Sequence, residues 1–261
     1  MNRQFSGCSL IWFGGLLCLF VFGFFSPVLR ADQKTPVVEI ASGKLTGVVL
    51  DEPASLAVFR GIPYAAPPVG ELRWRPPCPV ESWDGVRACD KFSAISWQRR
   101  KSSSSMSEDC LYLNIWTTGV GKADKLPVMV WIHGGGLNNG WGHIAKYDGS
   151  QFARQGVVLV SINYRLGSLG YLAHPGLSAE SDKGVSGNYG FLDQIESLKW
   201  VRQNIKAFGG DPEKVTIFGE SAGGTSVAVL AVSPLARGLF HRAVLQSSWM
   251  FGFTSSLAEP N

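Results

Sequence analysis

The pentapeptide Gly219-Glu220-Ser221-Ala222-Gly223 constrains this chain more than any other stretch. Residues 215–218, Val-Thr-Ile-Phe, are β-prone and lead into it, while residues 222–232 form an apolar, helix-competent run that Pro234 stops. A serine at so sharp a strand-to-helix turn needs a strained backbone. That strain is tolerable where the flanking positions carry almost no side chain, a demand Gly219 and Gly223 meet. Strand, G-x-S-x-G and helix in this order describe a nucleophile elbow. Ser221 would stand clear of the sheet with a helix N-terminus beneath the point of attack, and the chemistry it suits is acyl transfer. In a chain with 31 glycines the pentapeptide alone is a weak signal, since a glycine-rich turn explains it equally.

Other stretches supply the missing half of the machinery. Residues 126–132 are nearly all apolar, as suits a strand covered by helices on both faces, and they end in His133-Gly134-Gly135-Gly136. Consecutive glycines there let the backbone approach a substrate and turn its N–H groups toward developing negative charge. With the N–H of Ala222, the N–H groups of Gly135 and Gly136 would form an oxyanion hole.

The remaining pattern is α/β. Residues 37–40, 47–50 and 58–61 read as a small edge sheet, and residues 63–79 are too rich in proline for a helix or central strand. Trp74 and Trp83 would pin that segment by burial. Residues 111–116 alternate like a strand and residues 157–163 read as a buried one. Asn188 is placed to cap a helix in which Phe191, Ile195, Leu198, Val201 and Ile205 recur at helical spacing until Gly209 and Gly210. Residues 243–245 offer one more strand. Strands alternating with helices imply a mostly parallel central sheet with helices on both faces.

Residues 1–31 combine Arg3, an apolar run over 10–25 and a small residue at Ala31, the pattern of a cleaved signal peptide rather than of a span of about 20 residues. Export, and no stable membrane anchor after cleavage, are therefore expected, with residues 32–261 as the folded portion. Cleavage removes two arginines and no acids, lowering the formal charge from +4 to +2. No nucleic-acid footprint remains, because Arg99-Arg100-Lys101 precede four serines with no aromatic residue interleaved. Cys78, Cys89 and Cys110 follow the leader; no C-x-x-C spacing or nearby histidine points to a metal, and no cofactor is implied.

Longer motifs then carry a resemblance. FGGDPEKVTIFGESAG from Phe208, EDCLYLN from Glu108, FRGIPYAAPPVGELRW from Phe59, WIHGGG from Trp131 and NYRLGSLGYL from Asn163 resemble the type-B carboxylesterases, closest to the bacterial para-nitrobenzyl-esterase-like branch. The likeness covers nearly everything from Val37 to Trp249 and implies an α/β-hydrolase fold. By matched motif it makes Ser221 the nucleophile, Gly135, Gly136 and Ala222 the oxyanion donors, Glu220 a site-lining group, and Arg73 with Glu108 a partly buried structural ion pair. The substrate implied is a small neutral ester. The family's cysteine bridge to Cys110 is not expected, because Ser96-Trp97 occupy the partner's place; any bridge would have to join Cys89 to Cys110 or Cys78 to Cys89. Choline esters are not expected either, for want of the tryptophan that holds a quaternary ammonium.

In this family the triad's acid and histidine lie far downstream of the serine. His133, His143, His174 and His241 match no catalytic position, so the chain is expected to represent roughly the N-terminal half of an esterase domain, truncated on its C-terminal side. The alternatives are a non-catalytic binding protein of the same fold and an inactive truncated product. Loss of the serine or of the glycine loop would have favoured the former, and both are present.

Overall fold

In a computed structural model of the chain, which describes residues 33–51, 54–99, 102–123 and 125–248, the most apolar stretches become neighbouring strands of one sheet. The leader read at residues 1–31 lies outside the described residues. In chain order the strands are β1 (Val38–Ile40), β2 (Gly43–Thr46), β3 (Val48–Asp51), β4 (Leu56–Pro63), β5 (Val86–Ala88), β6 (Ile95–Ser96), β7 (Met106–Ser107), β8 (Tyr112–Thr117), β9 (Leu126–Ile132), β10 (Val158–Ile162), β11 (Gly210–Glu220) and β12 (Arg242–Gln246). Among the described residues five α-helices accompany them: α1 (Ser150–Arg154), α2 (Gly167–Tyr171), α3 (Pro175–Ala179), α4 (Tyr189–Asn204) and α5 (Ala222–Val232).

The main sheet runs β12-β11-β9-β10-β8-β4-β3. Its first four strands are parallel, and the pairings from β10 through β8 and β4 to β3 are antiparallel. Two cores follow from the pleat, because successive side chains of a strand point to opposite faces. On β9, Val128, Val130 and Ile132 join Ile195, Leu198 and Val201 of α4 and Val227 of α5 in one buried cluster. Trp131 faces the other way and packs with Trp116, Leu159, Phe218 and Ala153 of α1. Helices therefore cover both faces, which is why β9 and β10 read as unbroken apolar runs.

Two sequence expectations change. Residues 47–50 and 58–61 do not sit in a small edge sheet: β3 and β4 belong to the main sheet, β1 forms a separate one with β2 and β5, and β6 pairs with β7 in a third. The reason lies in the burial of β4, where Leu56, Ala57, Val58 and Phe59 are all enclosed and need a neighbour on each side, supplied by β3 and β8. The strand over 111–116 is buried on both faces rather than alternating, for the same reason. Asn188 does stand at the start of α4, where its carbonyl accepts the Leu192 N–H at 3.0 Å, but its side chain caps nothing. α4 passes through a 3₁₀ turn at Ile205–Phe208 and stops at Gly209, whose φ of 79° is the left-handed conformation glycine adopts most easily.

Trp74 and Trp83 are half-buried pins. The Trp74 indole N–H donates to Ser168 O at 2.9 Å and that of Trp83 to Lys44 O at 2.9 Å. β12 forms the outer edge of the sheet, and every residue along it is exposed, Val244 and Leu245 included. Among the described residues no helix is long and apolar enough to cross a membrane.

Candidate active site

β11 ends at Glu220, and Ser221 takes up φ 57°, ψ −123° before α5 begins. A non-glycine residue in that region costs roughly 1–3 kcal/mol and persists only where the surroundings over-determine it. They do so here from both sides. The Ser221 N–H donates to Gln246 O on β12 at 2.9 Å, and the Ser221 carbonyl accepts the Thr225 N–H at 2.9 Å in the first turn of α5.

The two flanking glycines are required for space rather than for backbone freedom, since neither has positive φ. A Cβ on Gly223 would stand 2.1 Å from Ile132 O, and one on Gly219 would stand 2.5 Å from Gly223 C and 2.7 Å from Ile132 O. The elbow is thus pressed directly onto the end of β9. From that strand end the glycine loop departs, so the two halves of the site are neighbours because their parent strands pair in register, Phe218 with Trp131 and Gly219 with Ile132.

Within the loop, Gly135 has φ 114°, Gly136 φ 64° and Leu137 φ 58°, a run of positive φ. Gly134 lies against the elbow: a Cβ there would be 2.5 Å from Glu220 O, 3.2 Å from the Ser221 Cβ and 3.3 Å from Glu220 Oε2. Ser221, Glu220 and the glycine loop therefore share one small region, with Ala222 buried at the head of α5 and Gly135, Gly136 and Glu220 exposed. A cavity of about 590 Å³ lies elsewhere, between Trp74, Leu177, Val185, Leu192 and Leu235.

Each of the four histidines has a hydrogen-bond or ring partner other than Ser221. His133 is buried, stacks on Tyr164 with centroids 4.4 Å apart, and its Nδ1–H lies 2.8 Å from Gly134 O. Burial holds its ring at a pKa of about 4. His143 stacks on Phe92 at 4.5 Å, lies 3.5 Å from Ser104 Oγ, and is likewise lowered to about 4 by burial. His174 Nδ1 accepts the Gly176 N–H at the start of α3. His241 Nδ1 accepts the Val215 N–H, and its Nε2 lies 3.6 Å from Glu213.

Arg73 grips Glu108 with two parallel bonds, Nε to Oε2 at 2.6 Å and Nη2 to Oε1 at 2.7 Å. The arginine side chain is 40% exposed, so the pair belongs to the surface more than the expected partial burial implied. Among the described residues Cys78, Cys89 and Cys110 are free thiols, so neither Cys78–Cys89 nor Cys89–Cys110 is bridged. Cys89 and Cys110 are both enclosed in the core, where desolvation pushes each thiol up to about 12. Among the described residues no cluster of three metal-ligating side chains occurs.

Sequence reading met Asn163, Tyr164 and Arg165, which follow β10, only as the start of a family-like stretch and gave them no role. Asn163 Oδ1 accepts the Gly142 N–H at 2.8 Å, and the Tyr164 hydroxyl donates to His133 O at 2.7 Å. Arg165 places its Nε and Nη2 on the two oxygens of buried Asp193 at 2.8 and 2.6 Å. Burial pushes the Asp193 carboxyl up while the guanidinium beside it pulls it back, and three N–H donors converging on its oxygens hold it as the carboxylate. A polar triplet directly after a buried apolar strand was the available signal.

Comparison with known proteins agrees with this geometry. Residues 34–255 match the model of the carboxylesterase family. The chain is 49% identical to the fumonisin B1 esterase of Sphingopyxis macrogoltabida over 236 residues, covering 88% of the chain and 43% of that enzyme. It is 44% identical to the cocaine esterase of Homo sapiens, covering 89% and 43%. A solved structure of PNB esterase superposes with a TM-score of 0.74 at 45% identity, over 81% of this chain and 44% of that one. The chain thus spans less than half the length of the relatives it matches.

Proposed function

The chain belongs to the carboxylesterase family, and on that premise we propose that it carries the nucleophile and oxyanion hole of a serine hydrolase acting on small neutral carboxylic esters. The observation that supports this most is the strained φ and ψ of Ser221, locked between β12 and α5 directly beside the glycine loop. Ser221 Oγ attacks the ester carbonyl, the carbonyl carbon becomes tetrahedral, and its oxygen takes the charge. N–H groups of Gly135, Gly136 and Ala222 receive that oxyanion, fixed in place before the reaction begins. Collapse expels the alcohol and leaves the acyl group on Ser221, which water then removes. Glu220, beside Gly134, steadies positive charge at the site.

A serine hydroxyl attacks slowly until a base takes its proton. Each of the four histidines is held by other partners, so the base in this reading is a histidine outside this set. Exported by its leader and without cofactor, the chain by itself would then turn over esters far below an enzymatic rate.

Two measurements test the reading. A fluorophosphonate in imidazole buffer, where the solution base substitutes for the missing one, should modify the peptide containing Ser221, and Ser221→Ala should abolish the adduct. Modification elsewhere, or none, refutes Ser221 as nucleophile. Rapid para-nitrophenyl ester hydrolysis without imidazole, abolished by Ser221→Ala, refutes the placement of the base outside the four histidines.

A further inference from the structure

The donors of the glycine loop sit on backbone with little conformational preference of its own. Gly135 and Gly136 are exposed, and glycine populates positive and negative φ almost equally. Preorganised donors are worth far more to catalysis than mobile ones. Something outside the loop has to hold it.

The far end of the loop is gripped by a side chain more than thirty residues away in sequence. Gln98 follows β6 and is half-buried. Its Oε1 accepts the Gly140 N–H at 2.8 Å, and its Nε2 donates to Gly140 O at 3.1 Å and to Ser96 O at 3.2 Å. Two antiparallel bonds between a carboxamide and one residue's N–H and C=O fix orientation as well as position.

Gly140 passes that constraint on. With φ 111° it lies so close to the start of the loop that a Cβ would stand 2.5 Å from Gly134 O and 2.6 Å from His133 Nδ1. Gly134 in turn is pressed against Glu220 O and the Ser221 Cβ. The Asn138 and Asn139 N–H groups both donate to Gly135 O, at 3.2 and 3.0 Å, closing the segment between. The contact path from Gln98 to Ser221 is therefore continuous: Gln98, Gly140, Gly134, Ser221.

We propose that Gln98 is a positioning residue for the active site, holding the Gly140 peptide and through it the alignment of the Gly135 and Gly136 N–H groups beside Ser221. Its catalytic consequence rests on the serine hydrolase reading; the clamp itself does not.

The test uses the full chain and two readouts, with Gln98→Ala and Gln98→Glu. Amide hydrogen exchange is compared with wild type at the same pH. Gln98→Ala should raise exchange across residues 134–140 about tenfold and leave β9 and β10 unchanged. In Gln98→Glu a carboxylate would face the carbonyls of Ser96 and Gly140, and protonation restores a donor. Protection of the loop should therefore recover as pH falls through the carboxyl range, roughly pH 6 to 4, which a general loss of packing would not produce. The second readout is Ser221-dependent hydrolysis of para-nitrophenyl butyrate in imidazole buffer. Gln98→Ala should lower kcat about tenfold to a hundredfold with KM changed by less than roughly twofold.

Unchanged loop exchange in Gln98→Ala overturns the proposal, and so does a loosened loop with kcat unaffected. If wild type shows no Ser221-dependent turnover, the hydrolase reading fails, and loop exchange alone then decides whether Gln98 is the clamp.

Discussion

His133 should make the stability of this protein depend on pH in a direction opposite to intuition about acid-stable cores. The ring is 1% exposed, its Nδ1–H is committed to Gly134 O, and Nε2 is enclosed without a partner. Charging it means burying a cation, and desolvation lowers its pKa from 6.5 to about 4. A folded-state pKa below the unfolded one means that the unfolded chain binds more protons between those values. Stability is then fully present above about pH 6.5 and is lost as pH falls toward 4. For this one group the linkage relation gives a loss of about 2 kcal/mol at pH 5 and about 3 kcal/mol in full. His143 adds in the same direction, by less, because its ring is only partly enclosed. The measurement is the urea midpoint between pH 8 and pH 5 for wild type and His133→Phe, which keeps a ring against Tyr164 but cannot titrate. The variant starts lower at pH 8 for want of the Gly134 bond, and its pH slope should be shallower by about 2 kcal/mol at pH 5. Identical slopes, or a proton resonance of His133 titrating near 6.5, would falsify the argument.

Three further outcomes follow from the geometry. Ser221→Gly removes roughly 1–3 kcal/mol of backbone strain and adds roughly 0.5–1 kcal/mol of unfolded-state entropy, so it should raise stability by about 1 kcal/mol while abolishing fluorophosphonate labelling; a lower thermal midpoint contradicts the strain at φ 57°. Gly223→Ala places a Cβ 2.1 Å from Ile132 O and should cost about 4 kcal/mol or give no soluble protein, whereas a near-native midpoint would mean that the elbow does not press on β9. Asp193→Ala leaves the Arg165 guanidinium buried without its carboxylate and should cost about 3–5 kcal/mol, most of it recovered by Arg165→Met with Asp193→Leu; no recovery would show that shape rather than charge holds that junction.

What the sequence disclosed and what it concealed divide by the range of the interactions. The strand at Leu126–Ile132 and the helix at Ala222–Val232 agree with their readings to the residue, because apolar run, breaker and turn chemistry are all local there. The allocation of β3 and β4 to the main sheet depends on the pairing of β4 with β8, about fifty to sixty residues on, and no local pattern encodes a partner. The same holds at Asn188. Its residue type and place satisfy every local rule for a cap, yet its side chain caps nothing, so the cap is made by backbone alone.

The candidate active site shows the same division more sharply. Ser221 and the glycines were visible because their requirement is steric and is written in the residues themselves: only glycine fits where Gly223 meets Ile132 O. The groups that fix the site were not. Gln98, Asn163 and Tyr164 are ordinary residue types, and what distinguishes each is the backbone atom it meets, 42, 21 and 31 residues away. Those three side chains hold three points of one stretch, His133, Gly140 and Gly142, that runs past Ser221. A motif therefore locates the atoms that react, while the precision with which they are held comes from long-range hydrogen bonds that fold topology alone brings together. Under the proposed hydrolase reading, oxyanion donors act through their fixed placement, so the residues hardest to read in sequence would affect the rate alongside the nucleophile and its base.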